Sequence, residues 1–192
     1  GKDLVPISEV ANKPYRIDMR SKKVSDGAGG LIEHPIKFPI WFDPTTKSGT
    51  PMCGALEYAC GITENWLKDH PKCFPPLVIN ITDGESTDGD PSAIAAILRA
   101  LYSEDGEVLL FNLHLSSQNK KPITFPDSES QLPDQFAKLL FQMSSNLTKS
   151  MLAVANQEGY GVKEGARGFA FNADLVEIIK FLDIGTRPSN LR

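Results

Sequence analysis

The alternation of apolar and polar positions changes character near residue 50. Before it, Tyr15-Arg16-Ile17-Asp18-Met19 alternates with the period of a half-buried strand. Ser25-Asp26-Gly27-Ala28-Gly29-Gly30 carries turn chemistry. Pro35-Ile36-Lys37-Phe38-Pro39-Ile40-Trp41-Phe42 combines β-branched and aromatic residues with two prolines. Proline cannot donate to a ladder, so this segment is restricted to an edge strand or an extended packing segment. Residues 1–47 are therefore predicted as strand, loop and strand with irregular connections.

From residue 50 the pattern is regular. Met52, Ala55, Leu56, Ala59, Cys60, Trp66 and Leu67 recur at helical spacing behind Thr50-Pro51, predicting a long amphipathic helix that ends near Asp69-His70-Pro71. Leu77-Val78-Ile79-Asn80-Ile81 is an apolar run of strand length, suited to a parallel strand covered on both faces, and it stops at Thr82-Asp83-Gly84. Asp90-Pro91 has the form of an N-cap followed by proline at the first helical position, opening a helix through Ile94, Ile97, Leu98 and Leu101. A strand from Val108 to Leu115 follows, then a polar loop with Pro122, Pro126 and Pro133. Residues 135–157 are expected to be largely helical, Gly168 to Asn172 a short strand, and Leu175 to Leu182 a closing helix. Alternating strands and helices imply parallel strands joined by right-handed crossovers. The expected fold class is α/β, a doubly wound, mostly parallel sheet, within a single domain over residues 1–192.

Composition narrows the partners. The chain has 192 residues and a net charge of −4 spread along its length, which argues against nucleic acid as the main partner. No apolar run approaches the roughly twenty residues of a membrane helix, and Gly1-Lys2-Asp3-Leu4-Val5 has no signal-peptide profile, so a cytoplasmic protein without a membrane partner is expected. Cys53, Cys60 and Cys73 are odd in number and lack C-x-x-C spacing. They are read as reduced thiols, with Cys53 and Cys60 on one helix face as small buried hydrophobes.

In an open parallel sheet, ligands collect outside the carboxyl ends of the strands. Asp83 stands at such an end, and Thr50 immediately precedes a helix whose positive N-terminal dipole faces the same rim. One carboxylate and one hydroxyl are hard oxygen ligands of the kind that Mg²⁺, Mn²⁺ or Ca²⁺ takes. A metal-free alternative makes Thr50 a helix N-cap and Asp83 a strand-end acceptor. The acidic loop 83–90 is not an EF-hand, because Asp88 occupies its sixth position and Ile94 its twelfth. Asp90 is expected to cap the next helix, with Glu85 and Ser86 bordering the site. His114, near a strand end, has no nucleophile motif beside it and is read as a packed or rim histidine. The glycines at 27, 29 and 30 lack the ending of a phosphate-binding loop and are read as turn residues.

Ser48-Gly49-Thr50-Pro51-Met52-Cys53-Gly54-Ala55-Leu56, followed by Ile81-Thr82-Asp83-Gly84-Glu85, resembles the second and third motifs of the metal-ion-dependent adhesion site in von Willebrand factor A domains. Gly165-Ala166-Arg167-Gly168-Phe169-Ala170-Phe171-Asn172-Ala173-Asp174 and Phe181-Leu182-Asp183-Ile184-Gly185-Thr186-Arg187-Pro188 look like a bacterial branch of stand-alone A-domain proteins. The resemblance spans nearly the whole chain. It implies a protein-interaction module, not an enzyme, in which Thr50 and Asp83 contribute to a Mg²⁺ site (Mn²⁺ or Ca²⁺ being alternatives). Gly49, Gly84, Glu85 and Ser86 form its border, and an acidic side chain of a partner protein completes the coordination. The family's first motif, D-x-S-x-S, does not occur in these 192 residues, and Gly1 to Val10 resembles the stretch after the family's second strand. On that resemblance the first strand, first helix and second strand are missing, and metal binding by this chain is weak or absent. An apolar edge beside the Asp83 strand would then be covered by the 1–47 segment or by another molecule, so self-association through that edge is a further expectation. The other function classes kept open are a metal-dependent hydrolase or phosphatase and a metal-free scaffold.

Overall fold

The computed structural model describes residues 3–25, 27, 30–45, 49–118 and 120–186. The chain divides into two units, Gly1–Ser48 and Gly49–Arg192.

In the first unit, α1 (Ile7–Asn12) precedes the antiparallel pair β1 (Arg16–Ser25) and β2 (Leu31–Ile40). Pro35 lies opposite Ser21 and Pro39 opposite Ile17. In a two-stranded ribbon each strand keeps one free side, so proline's missing N–H leaves no gap in a central ladder. The short helix α1 has no apolar periodicity that would have foretold it. Of the loop expected at 25–30, residues 26, 28 and 29 lie outside the described residues.

The second unit runs α2 (Met52–Asp69), β3 (Leu77–Thr82), α3 (Ser92–Ala100), the hairpin β4 (Tyr102–Ser103) and β5 (Gly106–Glu107), then β6 (Leu109–His114) and β7 (Ile123–Thr124). It closes with α4 (Gln135–Met143), α5 (Lys149–Gln157), β8 (Phe169–Phe171) and α6 (Leu175–Thr186). Four strands form one sheet in the order β3-β6-β8-β7. The first three are parallel and β7 is antiparallel to β8. This is an α/β protein with a mixed, mostly parallel sheet flanked by helices.

Every residue of β6 is buried, and the strand's period of two sends its side chains alternately to two cores. Leu110 packs with Met52, Leu56, Leu98 and Leu140 from α2, α3 and α4. Leu109, Phe111 and Leu113 pack with Met151, Phe181 and Ile184 from α5 and α6. Burial on both faces is why β6 reads as a mostly apolar run, with Asn112 and His114 as its polar members, rather than an alternation of buried and exposed positions.

One expectation needs correction. The helical stretch 135–157 is two helices broken at Ser144–Thr148. Ser144 and Ser145 turn inward to bond the sheet: Ser145 N–H donates to Leu110 O at 2.8 Å, and Leu110 N–H donates to Ser145 Oγ at 2.9 Å. Thr148 then caps α5 by accepting from Met151 N–H. Among the described residues β3 is the terminal strand of the four-stranded sheet, and Ile81 on it is 55 % exposed.

Gly168 admits β8 to this packing, since a Cβ there would stand 2.0 Å from Phe111 Cδ1, inside a ring that is fully buried. Gly168→Ala is expected to destabilise the chain by about 1–3 kcal/mol or more through overpacking. Gly61→Ala, on α2 with nothing within 4 Å of the added carbon, is expected to stabilise it by roughly 0.5–1 kcal/mol through helix propensity. Urea unfolding of the two variants beside the parent checks both signs.

Candidate binding rim at the carboxyl end of the sheet

The carboxyl end of β3 runs into the loop 83–90, which folds back onto the start of α2. No acidic residue occupies the first turn of α2, and no side chain of its own cap residue bonds it. Its exposed N–H groups are instead taken by the loop. Asp88 Oδ1 accepts from Cys53 N–H at 3.0 Å and its Oδ2 from Gly54 N–H at 2.9 Å. Ser86 Oγ donates to Asp88 Oδ1 at 3.0 Å. Thr50 joins the same loop through its backbone: its N–H donates to Thr87 Oγ1 at 2.8 Å and its carbonyl accepts from Thr87 N–H at 3.0 Å. The reading of Thr50 as a side-chain cap is therefore not met, because Asp88 caps α2 from a distance in sequence.

The Gly54 N–H first, with the Cys53 N–H and the Ser86 hydroxyl, holds the Asp88 carboxyl down at about 2. Asp90 does cap the following helix, its Oδ1 accepting from Ser92 N–H at 2.9 Å, although α3 opens at Ser92 rather than at Pro91.

Asp83 is exposed at the strand end, and its backbone is fixed from beneath. His114 Nε2 lies 2.8 Å from Asp83 O. A carbonyl only accepts, so Nε2 carries the hydrogen of this bond. His114 is 1 % exposed, packs edge-on against Phe171, and its Nδ1 has no partner among the described residues. It is a packed histidine beneath the rim rather than a group on it. Gly84 makes this approach possible: its φ is +103°, and a Cβ on it would stand 2.5 Å from His114 Nε2 and 3.0 Å from Phe136 Cβ.

Of the sequence-predicted site residues, Gly49 and Thr50 lie on the segment before α2, and Asp83, Gly84, Glu85 and Ser86 lie in the loop that Thr87 and Asp88 bond to that segment. Gly49 faces Thr87, whose Oγ1 would lie 3.0 Å from an added Cβ. Thr50 and Ser86 are half-buried, Glu85 exposed. Thr87 and Asp88, which do the joining, were not singled out. Their signal was a loop rich in Asp, Ser and Thr between a strand and a helix, which by itself does not say whose N–H groups it will cap. Asn172 was missed too: from its left-handed backbone at φ 48° it accepts from Ser116 N–H at 2.6 Å and donates to Gln118 O at 2.8 Å, tying the loop after β6 to β8. Cys53 and Cys60 are half-buried rather than buried, and all three cysteines are free. Burial is the main cause that raises the Cys53 and Cys60 thiols above their ordinary value.

Since the folded-state value of Asp88 lies below 3.8, its stabilising contribution is complete above that pH and is lost as the pH falls toward about 2. Asp88→Asn is therefore expected to be less stable than the parent at neutral pH, with the gap closing over that acid window; urea midpoints measured across the range check it. Gly84→Ala is expected to cost about 1–3 kcal/mol and to shift the amide resonances of residues 83–88, whereas an unperturbed spectrum would contradict the close approach of His114.

No family model, curated protein or solved structure matches this chain.

Proposed function

We propose that the chain is a protein-interaction module of the von Willebrand factor A type, doubly wound, whose binding face is the rim around Thr50 and Asp83. On this reading a divalent cation, Mg²⁺ first, binds the Thr50 hydroxyl and the Asp83 carboxylate, with Gly49, Gly84, Glu85 and Ser86 bordering it. The observation that carries the reading is the pinning of the 83–90 loop onto the start of α2 by Thr87 and Asp88. That pinning ties the residue bearing the hydroxyl to the segment that begins with the carboxylate. Helices on both faces of the sheet support the doubly wound form.

The donor set fits a hydrated hard cation only in part. Thr50 and Asp83 offer two oxygens, while both oxygens of Asp88 are already spent on α2. Among the described residues no three His, Cys, Asp or Glu side chains converge as a metal site. Magnesium tolerates few protein ligands and keeps its waters, so weak binding is expected. When bound, the ion would supply the positive charge that an acidic side chain of a partner protein seeks. The residues of the chain do the rest: Asp83 is held at its carbonyl by His114, and the α2 N-terminus is neutralised by Asp88. The burial of His114 favours a binding module over a hydrolase that would need it as a reachable base. Among the described residues no helix is long and apolar enough to cross a membrane.

Titrating Mn²⁺ into the labelled chain tests the site. Paramagnetic broadening is expected to centre on residues 49–50 and 83–86 and to disappear in Asp83→Ala. Broadening elsewhere, or broadening unchanged by that substitution, would sink the metal reading. For a partner once captured, equal binding in magnesium and in chelator would do the same.

A further inference from the structure

At the opposite end of the sheet, the amino ends of β6 and β8 border a cavity of about 410 Å³. One strand of six residues separates it from the rim, about 17 Å away. Its wall includes Arg99 from α3, Glu107 from β5, Val108, Ser145 and Asn146 from the break between α4 and α5, and Arg167 before β8. That volume is within the range of small-molecule sites.

The two guanidiniums are the notable chemistry. Arg167 is oriented by packing and by α4: it lies over the Phe141 ring, with its guanidinium carbon 4.8 Å from the centroid. Its Nη1 donates to the carbonyls of Phe141, Gln142 and Ser144 at 3.2, 2.8 and 3.3 Å. These bonds use one nitrogen and leave the others of the fork. Arg99 is held far less well. Its Nη1 reaches Ser144 O at 3.4 Å, and its Nε is buried with no partner among the described residues. No carboxylate lies within ion-pair distance of either arginine among the described residues. Desolvation first, and the charge of Arg167 second, lower Arg99 from its ordinary value, while Glu107 acts in the opposite sense.

A half-buried guanidinium with an orphaned Nε, beside a second guanidinium and without a paired carboxylate, is an arrangement that costs free energy. An oxyanion in the cavity offsets the like charges and accepts from the guanidinium N–H groups that the carbonyls leave free. Ser145 and Asn146 add a neutral hydrogen-bonding wall. Ser145 Oγ accepts from Leu110 N–H and still has its own hydrogen to donate. We infer that this cavity is a binding site for a small molecule carrying an oxyanion, a phosphate or a carboxylate group, gripped by Arg99 and Arg167. The guanidinium fork sets the geometry, and the exposed Glu107 at the mouth disfavours more highly charged anions. This site is independent of the metal reading, since it shares no residue with the rim.

The probes are inorganic phosphate and acetate, titrated into the full chain at constant ionic strength and followed by the backbone amide and arginine Nε–H resonances. Saturable shifts centred on Arg99 Nε, Ser145, Asn146 and Arg167 are expected for at least one of them, in the millimolar range or tighter. Arg99→Gln is expected to weaken that binding at least about tenfold, and Glu107→Gln to tighten it several-fold. A response to both anions no different from that to sodium chloride overturns the proposal. So does unchanged affinity in a folded Arg99→Gln chain. Should Arg99→Gln fail to fold, Glu107→Gln decides: tighter binding supports the site and unchanged binding overturns it.

Discussion

Everything in the second unit depends on β6 being buried on both faces while carrying a polar residue at its centre. Asn112 is fully buried, and a buried amide costs free energy unless all its groups are paired. Its Oδ1 accepts from Asn80 Nδ2 at 2.9 Å, and its Nδ2 donates to Leu140 O at 3.1 Å and Ser144 Oγ at 2.9 Å. Those bonds fix two things together. Asn80 is the register partner of Asn112, so the amide pair sets β3 against β6. Leu140 O and Ser144 Oγ set the end of α4 against the same strand. A slip of one residue would bury Asn112 against the aromatic face formed with α6 and expose Phe111 to the wrong core.

The two ends of the sheet follow from this alignment, and each is finished by a charge supplied from far along the chain. At the carboxyl end the start of α2 has no acidic residue of its own, and Asp88 brings a carboxylate to its positive dipole. At the amino end α4 has no basic residue in its last turn, and Arg167 brings a guanidinium to its last carbonyls. Asp88 is thereby spent on α2, while the neighbouring Asp83 and Glu85 are exposed. Arg167 keeps part of its fork, and with the poorly satisfied Arg99 it makes the other end electropositive. One end thus presents oxygen acceptors and the other presents nitrogen donors.

The local code accounts for much of the architecture. Helical periodicity placed α2 between Met52 and Asp69, and the run Leu77 to Ile81 placed β3 to within a residue. These segments bury an apolar face or are buried outright, so their periodicity is the physical cause of their structure. The two-residue strands β4, β5 and β7 left no such trace, because a strand that short is held by its partner rather than by a pattern. The break at Ser144–Thr148 was hidden for the same reason. Its serines are polar residues inside an apolar helical pattern, and their bonding partners Leu110 and Asn112 lie more than thirty positions away.

For the candidate sites the division is sharper. The residue types alone determined that Asp83 would end a strand, that Thr50 would precede a helix, and that both are hard oxygen donors. Only the tertiary structure decided which polar group is spent on structure and which is not. Asp88 rather than Thr50 caps α2, Asp83 hangs on His114 through its carbonyl, and Arg99 is left with an unpaired Nε. The physical reason is that helix periodicity and strand length are short-range properties written in neighbouring residues. The satisfaction of a buried donor or a helix end is settled by whichever group the fold brings within about 3 Å, however distant it is along the chain.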